Sequence, residues 1–374
     1  MKRHLGVVGA GAVACVACGA AYLAGWDGAY RGTVGFLYDE SDYLLAAAGS
    51  WWHASPFRPP LVWTLLHFVG YPGVVVFNLL CVGVLAGAGY WIGQKRGGLV
   101  GGVVCTAAPL AVPELWRWWP RAMPETTALA AVAVAAAALL SRRYWLTGAA
   151  LGVAALGRPE VLGLAAIIGT AGLWRGQRRR LLAWAGCAVV VAPFTVRNAV
   201  AARAVVPICC TGGMNLWAGN LEPTRPSRAR LQFVRHNEYA ELTQPGLTAI
   251  QKDTLCRRWF LSELQRRPGD VAVLWAYKAL HFWWGADFSG HEATIDPAMA
   301  GLLALAVAGI AAGLARREMR GTAALALLLI VYFWAAGIVV FPMARLRLMI
   351  LPGVLLGLGL LGDRLCHPAG TGRA

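Results

Sequence analysis

Apolar stretches close to twenty residues long recur from one end of this chain to the other, and few charges interrupt them. A helix rises about 1.5 Å per residue, so roughly 20 apolar residues cross a hydrocarbon core about 30 Å thick. A bilayer offers no water to backbone N–H and C=O groups, so such segments fold as helices that satisfy their own hydrogen bonds. Candidate spans fall at roughly 5–25, 72–94, 97–113, 123–140, 144–157, 161–174, 181–197, 298–315, 321–341 and 348–362. The expectation is an all-α polytopic membrane protein of about ten transmembrane helices. Charged residues make up 14% of the chain, well below the quarter usual in soluble domains. Residues 1–374 therefore read as a single transmembrane domain with no separate soluble part. Lys2, Arg3 and His4 before the first apolar stretch also fit a cleaved signal peptide. The many spans that follow favour an uncleaved first helix.

A net charge of +16 raises the question of nucleic acid. The distribution of the charge answers it. With the N-terminus in the cytoplasm, Lys95-Arg96, Arg142-Arg143, Arg175 to Arg180, Arg316-Arg317-Arg320 and the Arg364–Arg373 tail all fall on the cytoplasmic side. That is the pattern of the positive-inside rule. Of the 18 Asp and Glu residues, only Glu318 and Asp363 share that side. The arginines are orientation determinants, and nucleic acid is not an expected partner. Membrane lipids are.

Two longer segments lie on the outer face, residues 26–71 and 198–297. The first holds Asp39, Glu40 and Asp42, then Trp51-Trp52-His53 and a break at Arg58-Pro59-Pro60. Its stretch from Tyr43 to Trp52 reads as an interfacial helix, since Trp and Tyr favour the headgroup level. The second opens with Gly/Asn-rich sequence and becomes amphipathic, with Leu255, Trp259, Leu261 and Leu264 among Lys252, Arg257, Arg258, Arg266 and Arg267. Pro268-Gly269 separates that helix from one over Val271 to Trp284, which carries Lys278. Basic, aromatic helices of this kind lie on membrane surfaces.

Several motifs carry little. Gly9-Ala-Gly11-Ala-Val-Ala14 looks like a dinucleotide fingerprint, but no strand precedes it and it lies inside an apolar span. Gly148/Gly152 and Gly353/Gly357 have the spacing that lets membrane helices approach closely. Cys15 and Cys18 are spaced as CxxC, but lie mid-span. Cys209, Cys210 and Cys256 fall in the second outer segment, where small buried thiols are favoured over a disulfide. No cluster has structural-zinc spacing.

Acids at one face of a membrane protein, with an arginine close behind, form a functional-site hypothesis. Asp39, Glu40 and Asp42 offer a general base, and Arg58, stiffened by two prolines, offers an anion clamp.

The ordered motifs resemble the GT-C glycosyltransferases, in particular the bacterial family 39-like branch related to protein O-mannosyltransferases and lipid A aminoarabinose transferases. Asp39-Glu40 with Tyr43 and an alanine run is similar to the family's first-loop acidic motif. Phe57-Arg58-Pro59-Pro60-Leu61 is similar to its basic-Pro-Pro-Leu stretch before the second span. Met123-Pro124-Glu125, Gly157-Arg158-Pro159-Glu160, Arg197-Asn198 with Thr211 to Asn220, and Arg345-Leu346-Arg347 with Pro352 resemble further family segments, all at outer ends of spans. The chain departs from many relatives in ending after about ten spans, with no additional soluble domain.

The resemblance implies a GT-C fold in a bacterial cytoplasmic membrane, with the active site outside. It implies transfer of a sugar, with inversion, from a polyprenyl-phosphate donor to a hydroxyl of a glycan, lipid or protein acceptor. Asp39 is then the base, with Glu40 and Asp42 as alternatives. Arg58 is the first candidate for the lipid phosphate. Arg158, Glu160, Arg197, Asn198, Lys278, Arg345 and Glu125 are further donor-binding candidates. Trp259 and Trp283-Trp284 would flank the lipid tail. No cofactor is expected, although the acids would accommodate a divalent metal. A lipid-linked oligosaccharide polymerase or ligase, and a lipid-sugar transporter or flippase, are the competing readings; no internal repeat points to the latter.

Overall fold

The computed structural model describes residues 2–23, 43, 46–48, 58–174, 176–220, 242, 246–284, 297–340 and 344–367, and every regular element among them is helical. Chain order gives α1 (Lys2–Leu23), α2 (Pro60–Leu110), α3 (Pro113–Trp118), α4 (Glu125–Leu140), α5 (Tyr144–Gly157), α6 (Val161–Trp174) and, after a 3₁₀ turn at Arg178–Arg180, α7 (Leu181–Ala202). There follow α8 (Gly212–Gly219), α9 (Ala249–Arg266), α10 (Pro268–Trp284), α11 (Pro297–Ala315), α12 (Arg320–Val339), α13 (Ala344–Leu348) and α14 (Leu351–Cys366).

The 51 residues of α2 are three helical pieces. Gly70 (φ 65°, ψ 178°) ends a first arm, and Gly98 (φ 63°, ψ −152°) reverses the chain after Gly97. Only glycine adopts such angles without strain. The two longer arms then run antiparallel: Gly93 meets Gly101 and Gly89 meets Cys105 backbone to backbone. This separates the expected spans at 72–94 and 97–113. The first arm, Pro60 to Val69, was expected as loop. Its double proline starts the helix instead, because the missing N–H costs nothing at a first helical turn.

Five described helices are long and apolar enough to cross a membrane, and Leu5–Ala20, Glu125–Leu140, Tyr144–Gly157 and Val161–Gly172 are shorter apolar helices. With the two long arms of α2 counted separately, ten apolar helical segments run between two ends of the molecule. At one end Lys95 Nζ donates to the Leu140 carbonyl (3.1 Å), Gly97 lies on Gly362 and Arg316 pairs with Asp363 (2.9 Å). At the other, Gly157 lies against Pro124 and Leu61.

The core explains why so many residues are small. α4 is enclosed on nearly every side, with Ala128 and Ala133 fully buried, and α14 likewise from Leu351 to Leu360. α4 packs on α2 and α5, while α14 packs on α2, α11 and α12. Between lipid-embedded helices the close approach of backbones supplies the attraction, so glycine and alanine mark the contacts. The two GxxxG pairs do this. Gly148 and Gly152 seat α5 on α7, and Gly353 and Gly357 seat α14 on α12 and α11. A Cβ on Gly309 would fall on the Gly357 carbonyl. Gly309→Val should therefore cost about 1–3 kcal/mol through overpacking. Gly301→Val, on the same helix where nothing lies within 4 Å of a Cβ, should leave the melting transition in detergent unchanged.

Candidate functional site

Four elements bring the sequence-predicted residues to the end opposite Lys95. Gly157 closes α5 with no side chain, so the chain passes within reach of Pro124 and Leu61, where a Cβ would stand 3.0 and 3.5 Å from their side chains. Arg158 follows at once. Its guanidinium pairs with Glu125, in the first turn of α4, and approaches Glu160 (3.7 Å). Glu125 is 1% exposed. The Tyr332 hydroxyl, reaching over from α12, donates to the Glu160 carbonyl and fixes the turn that carries it.

Arg58 precedes α2 directly. Its carbonyl accepts from Trp63 Nε1 (3.4 Å), and its guanidinium stands 5.9 Å from the Tyr43 ring. The other face of this assembly is Arg197, near the end of α7. It is fully buried, lies 5.0 Å over the Trp63 ring and donates to Asn198 Oδ1 (2.9 Å). Asn198 in turn donates to the carbonyls of Val206 (3.2 Å) and Ile208 (2.8 Å), pinning the chain that leaves α7. A planar guanidinium stacked on an indole keeps its charge while shedding water more cheaply than an ammonium would. Trp63 thus touches the Arg58 backbone on one side and the Arg197 guanidinium on the other, and Gly157, next to Arg158, lies against Leu61 of the same helical arm.

Lys278 stands elsewhere at this end, on α10, outside the membrane-spanning helices. It is 4% exposed, and its Nζ donates to Asn220 Oδ1 (2.9 Å) and the Val340 carbonyl (3.0 Å). Asn220 also accepts from Trp275 Nε1 (2.9 Å) and donates to the Leu216 (2.7 Å) and Val339 (2.9 Å) carbonyls. Lys278 therefore ties α8 and α10 to the end of α12. Burial pushes its ammonium down from 10.5 to about 7. The unfolded chain holds that proton up to about 10.5 and the folded one releases it near 7, so the fold gains stability as pH rises across that window. In Lys278→Met the pH-dependent gain should vanish, read as parallel melting temperatures of the variant from pH 7 to 10 where the wild type climbs.

Asp39, Glu40 and Asp42 lie outside the described residues, as do Trp51-Trp52-His53. The backbone of Arg345 opens α13, and its side chain also lies outside them. Trp259 packs on Trp217 (5.3 Å between centroids) in a satellite core with Leu242, Cys256 and Phe260, while Trp283 meets Phe282 and Trp334. All nine thiols are free. Burial raises Cys209 to about 11 and Cys210 to about 12, so both stay protonated and unreactive at neutral pH.

Two further residues meet at this end, Arg347, read from the sequence only as part of the Arg345-Leu346-Arg347 stretch, and Glu114, which the sequence reading does not single out. Arg347 is 5% exposed, donates to the Trp283 carbonyl (3.0 Å) and faces Glu114 (3.8 Å). Glu114 follows Pro113 at the start of α3, and Pro-Glu in a first turn is a helix-start signal. That signal locates a helix, and the partner on α13 is invisible without the fold. Among the described residues, no three His, Cys, Asp or Glu side chains gather where a metal ion could sit.

The helices and their two chemically distinct ends define an all-α polytopic membrane protein. No family model matches the sequence, and no curated protein does. Among solved structures the chain is similar to the crystal structure of ArnT from Cupriavidus metallidurans bound to undecaprenyl phosphate, with 14% identity and a TM-score of 0.42 over 94% of this chain and 78% of that one.

Proposed function

We propose that this protein is a membrane glycosyltransferase that moves a sugar from a polyprenyl-phosphate donor to an acceptor hydroxyl, with inversion, at the end of the bundle where Arg58, Arg158 and Arg197 converge. The observation that supports the reading is that Arg58, Arg158 and Arg197 all stand at one end of the bundle, Arg197 over Trp63 and Arg158 beside Gly157, where the segment bearing Asp39, Glu40 and Asp42 joins α2. In the reaction Asp39 takes the proton of the acceptor hydroxyl as its oxygen attacks the anomeric carbon. The bond from that carbon to the lipid phosphate breaks, and the electron pair leaves with the phosphate oxygen. Arg58 meets the growing charge with two donors in a fork that matches phosphate oxygens. Glu40, next to Asp39, would orient the acceptor or tune Asp39 by like-charge repulsion.

Arg158 is already held by Glu125 and Glu160, and Arg197 by the Trp63 ring and Asn198. On this reading those two hold the surrounding chain in place, and Arg58 binds the donor phosphate. On this reading the outer face of the bundle is extracytoplasmic and the Lys95 end cytoplasmic, as the arginine distribution requires. The test is a panel of polyprenyl-phosphate sugars presented to the protein in nanodiscs. Arg58→Ala should cut donor turnover about 10²–10³-fold, the cost of removing one preorganised donor from a developing oxyanion. Turnover equal to wild type in that variant would remove Arg58 from the reaction.

A further inference from the structure

At the opposite end of the bundle, two short turns place five arginines together. Ser141-Arg142-Arg143 joins α4 to α5, and Arg178–Arg180 leads into α7. α5 and α7 run parallel in glycine-mediated contact: Gly148 lies on Ala183, Gly186 against the Trp145 carbonyl, and Gly152 against Cys187 and Val190. Gly148 on Ala183 and Gly152 on Cys187 and Val190 advance together along both helices, so Tyr144 and Leu181 start near the same level. Arg142 and Arg143 therefore stand beside Arg178, Arg179 and Arg180.

The surroundings leave this charge unneutralised. Arg142, Arg143, Arg178 and Arg179 are exposed. Among the described residues none of the five takes part in an ion pair, and Arg180 Nε is buried with no hydrogen-bond partner. The described acids at this end are Glu318 and Asp363, and Asp363 is taken by Arg316 (2.9 Å). Arg142 holds a left-handed φ of 58°, a conformation that costs a non-glycine residue free energy and turns the chain sharply here. The positive ends of the α5 and α7 dipoles add to the same field. One turn further along, the surface changes character: Trp145, Leu146, Leu182 and Trp184 are 40–48% exposed and apolar or amphipathic. A ring of guanidinium groups above an aromatic and aliphatic wall is complementary to an amphiphile with a phosphate head and acyl chains.

We infer that the turns at Ser141–Arg143 and Arg178–Arg180 form a binding site for anionic phospholipid headgroups, the guanidinium forks holding phosphodiester oxygens and Trp145, Leu146, Leu182 and Trp184 receiving the acyl chains. Orientation of the bundle needs only that positive charge be present; this site needs the arginine fork, because two parallel N–H donors fit a phosphate as an ammonium does not. Basic clusters next to membrane helices recognise anionic lipids in this way.

The experiment uses the purified full chain in detergent, titrated with cardiolipin, phosphatidylglycerol or phosphatidylcholine, with bound lipid counted by native mass spectrometry. Wild type should retain cardiolipin about tenfold or more better than phosphatidylcholine, with phosphatidylglycerol between them. The Arg142→Gln/Arg143→Gln/Arg178→Gln/Arg179→Gln variant should lose that preference at an unchanged melting temperature. The corresponding four-lysine variant keeps the charge, and hence the insertion orientation, and should lose most of it too. Equal retention of all three lipids by wild type would overturn the site, as would undiminished cardiolipin preference in the folded glutamine variant. If the glutamine variant does not fold, the lysine variant decides, and cardiolipin retention equal to wild type refutes the assignment. Displacement of bound cardiolipin by inorganic phosphate would show a site for free phosphate, and would overturn the role given to the acyl-chain wall.

Discussion

Replacing Asp39 with asparagine should lower the rate of sugar transfer about 10²–10⁴-fold while leaving donor binding within a few-fold of wild type. The size follows from what a general base contributes when it removes a proton in the transition state. Asparagine keeps the shape and the hydrogen-bonding reach of the carboxylate but cannot take a proton. In the proposed reaction the lipid phosphate is bound by Arg58 and not by Asp39, so donor binding should survive. Asp39→Glu moves the carboxylate by one methylene and should recover only part of the loss, because a displacement of about 1 Å costs up to roughly 10²-fold in a site that works by positioning. The comparison separates Asp39 from its neighbours. Were Glu40 the base, Glu40→Gln would carry the large effect and Asp39→Asn a small one. The same holds for Asp42→Asn.

The second large effect is on stability. Glu125→Ala should destabilise the fold by about 1–3 kcal/mol, because it strips the half-buried Arg158 guanidinium of the nearer of its two carboxylates and leaves only Glu160, at 3.7 Å. Glu125→Gln keeps the volume and one acceptor oxygen and should cost less. The double variant Glu125→Gln/Arg158→Met removes both charges and should recover much of the loss, since an apolar replacement of a buried pair is often neutral or better. Thermal unfolding in detergent measures all three, whatever the activity. If the double variant is as unstable as Glu125→Ala, the pair matters through packing around Gly157 and Pro124, and the charge argument fails.

How much of this was legible in the sequence differs from element to element. The spans were, because an apolar helix needs only length and composition to be recognised, and Lys95-Arg96 marked the break between two of them. The motifs at Arg58, Glu125, Arg158 and Arg197 were legible as a group because each stands at a span end, and the fold draws those ends together. α8 was not. Gly212 and Gly213 argue against a helix on propensity, yet the Asp253 carboxylate accepts from the backbone N–H groups of Gly213 (2.6 Å) and Met214 (3.3 Å) at its start. That cap comes from forty residues away, so no local reading finds it. The meeting of Glu114 with Arg347 escaped for the same reason. Lys278 shows the converse. A lysine on a basic outer helix reads as an anion ligand, whereas its observed acceptors are an amide oxygen and a backbone carbonyl, and it joins helices. Charge is readable from sequence; the direction in which it is spent depends on the packing around it.

The measurement closest to the central claim is whether the bond between sugar and lipid phosphate is broken. Protein in nanodiscs would be supplied with radiolabelled polyprenyl-phosphate sugars and candidate acceptors, and free polyprenyl phosphate and labelled acceptor would be counted together. Wild type should release one polyprenyl phosphate for each sugar transferred, and Asp39→Asn almost none. Recovery of the intact sugar lipid on the far leaflet of sealed vesicles, with no free polyprenyl phosphate and no sensitivity to Asp39→Asn, would contradict this and make the protein a transporter.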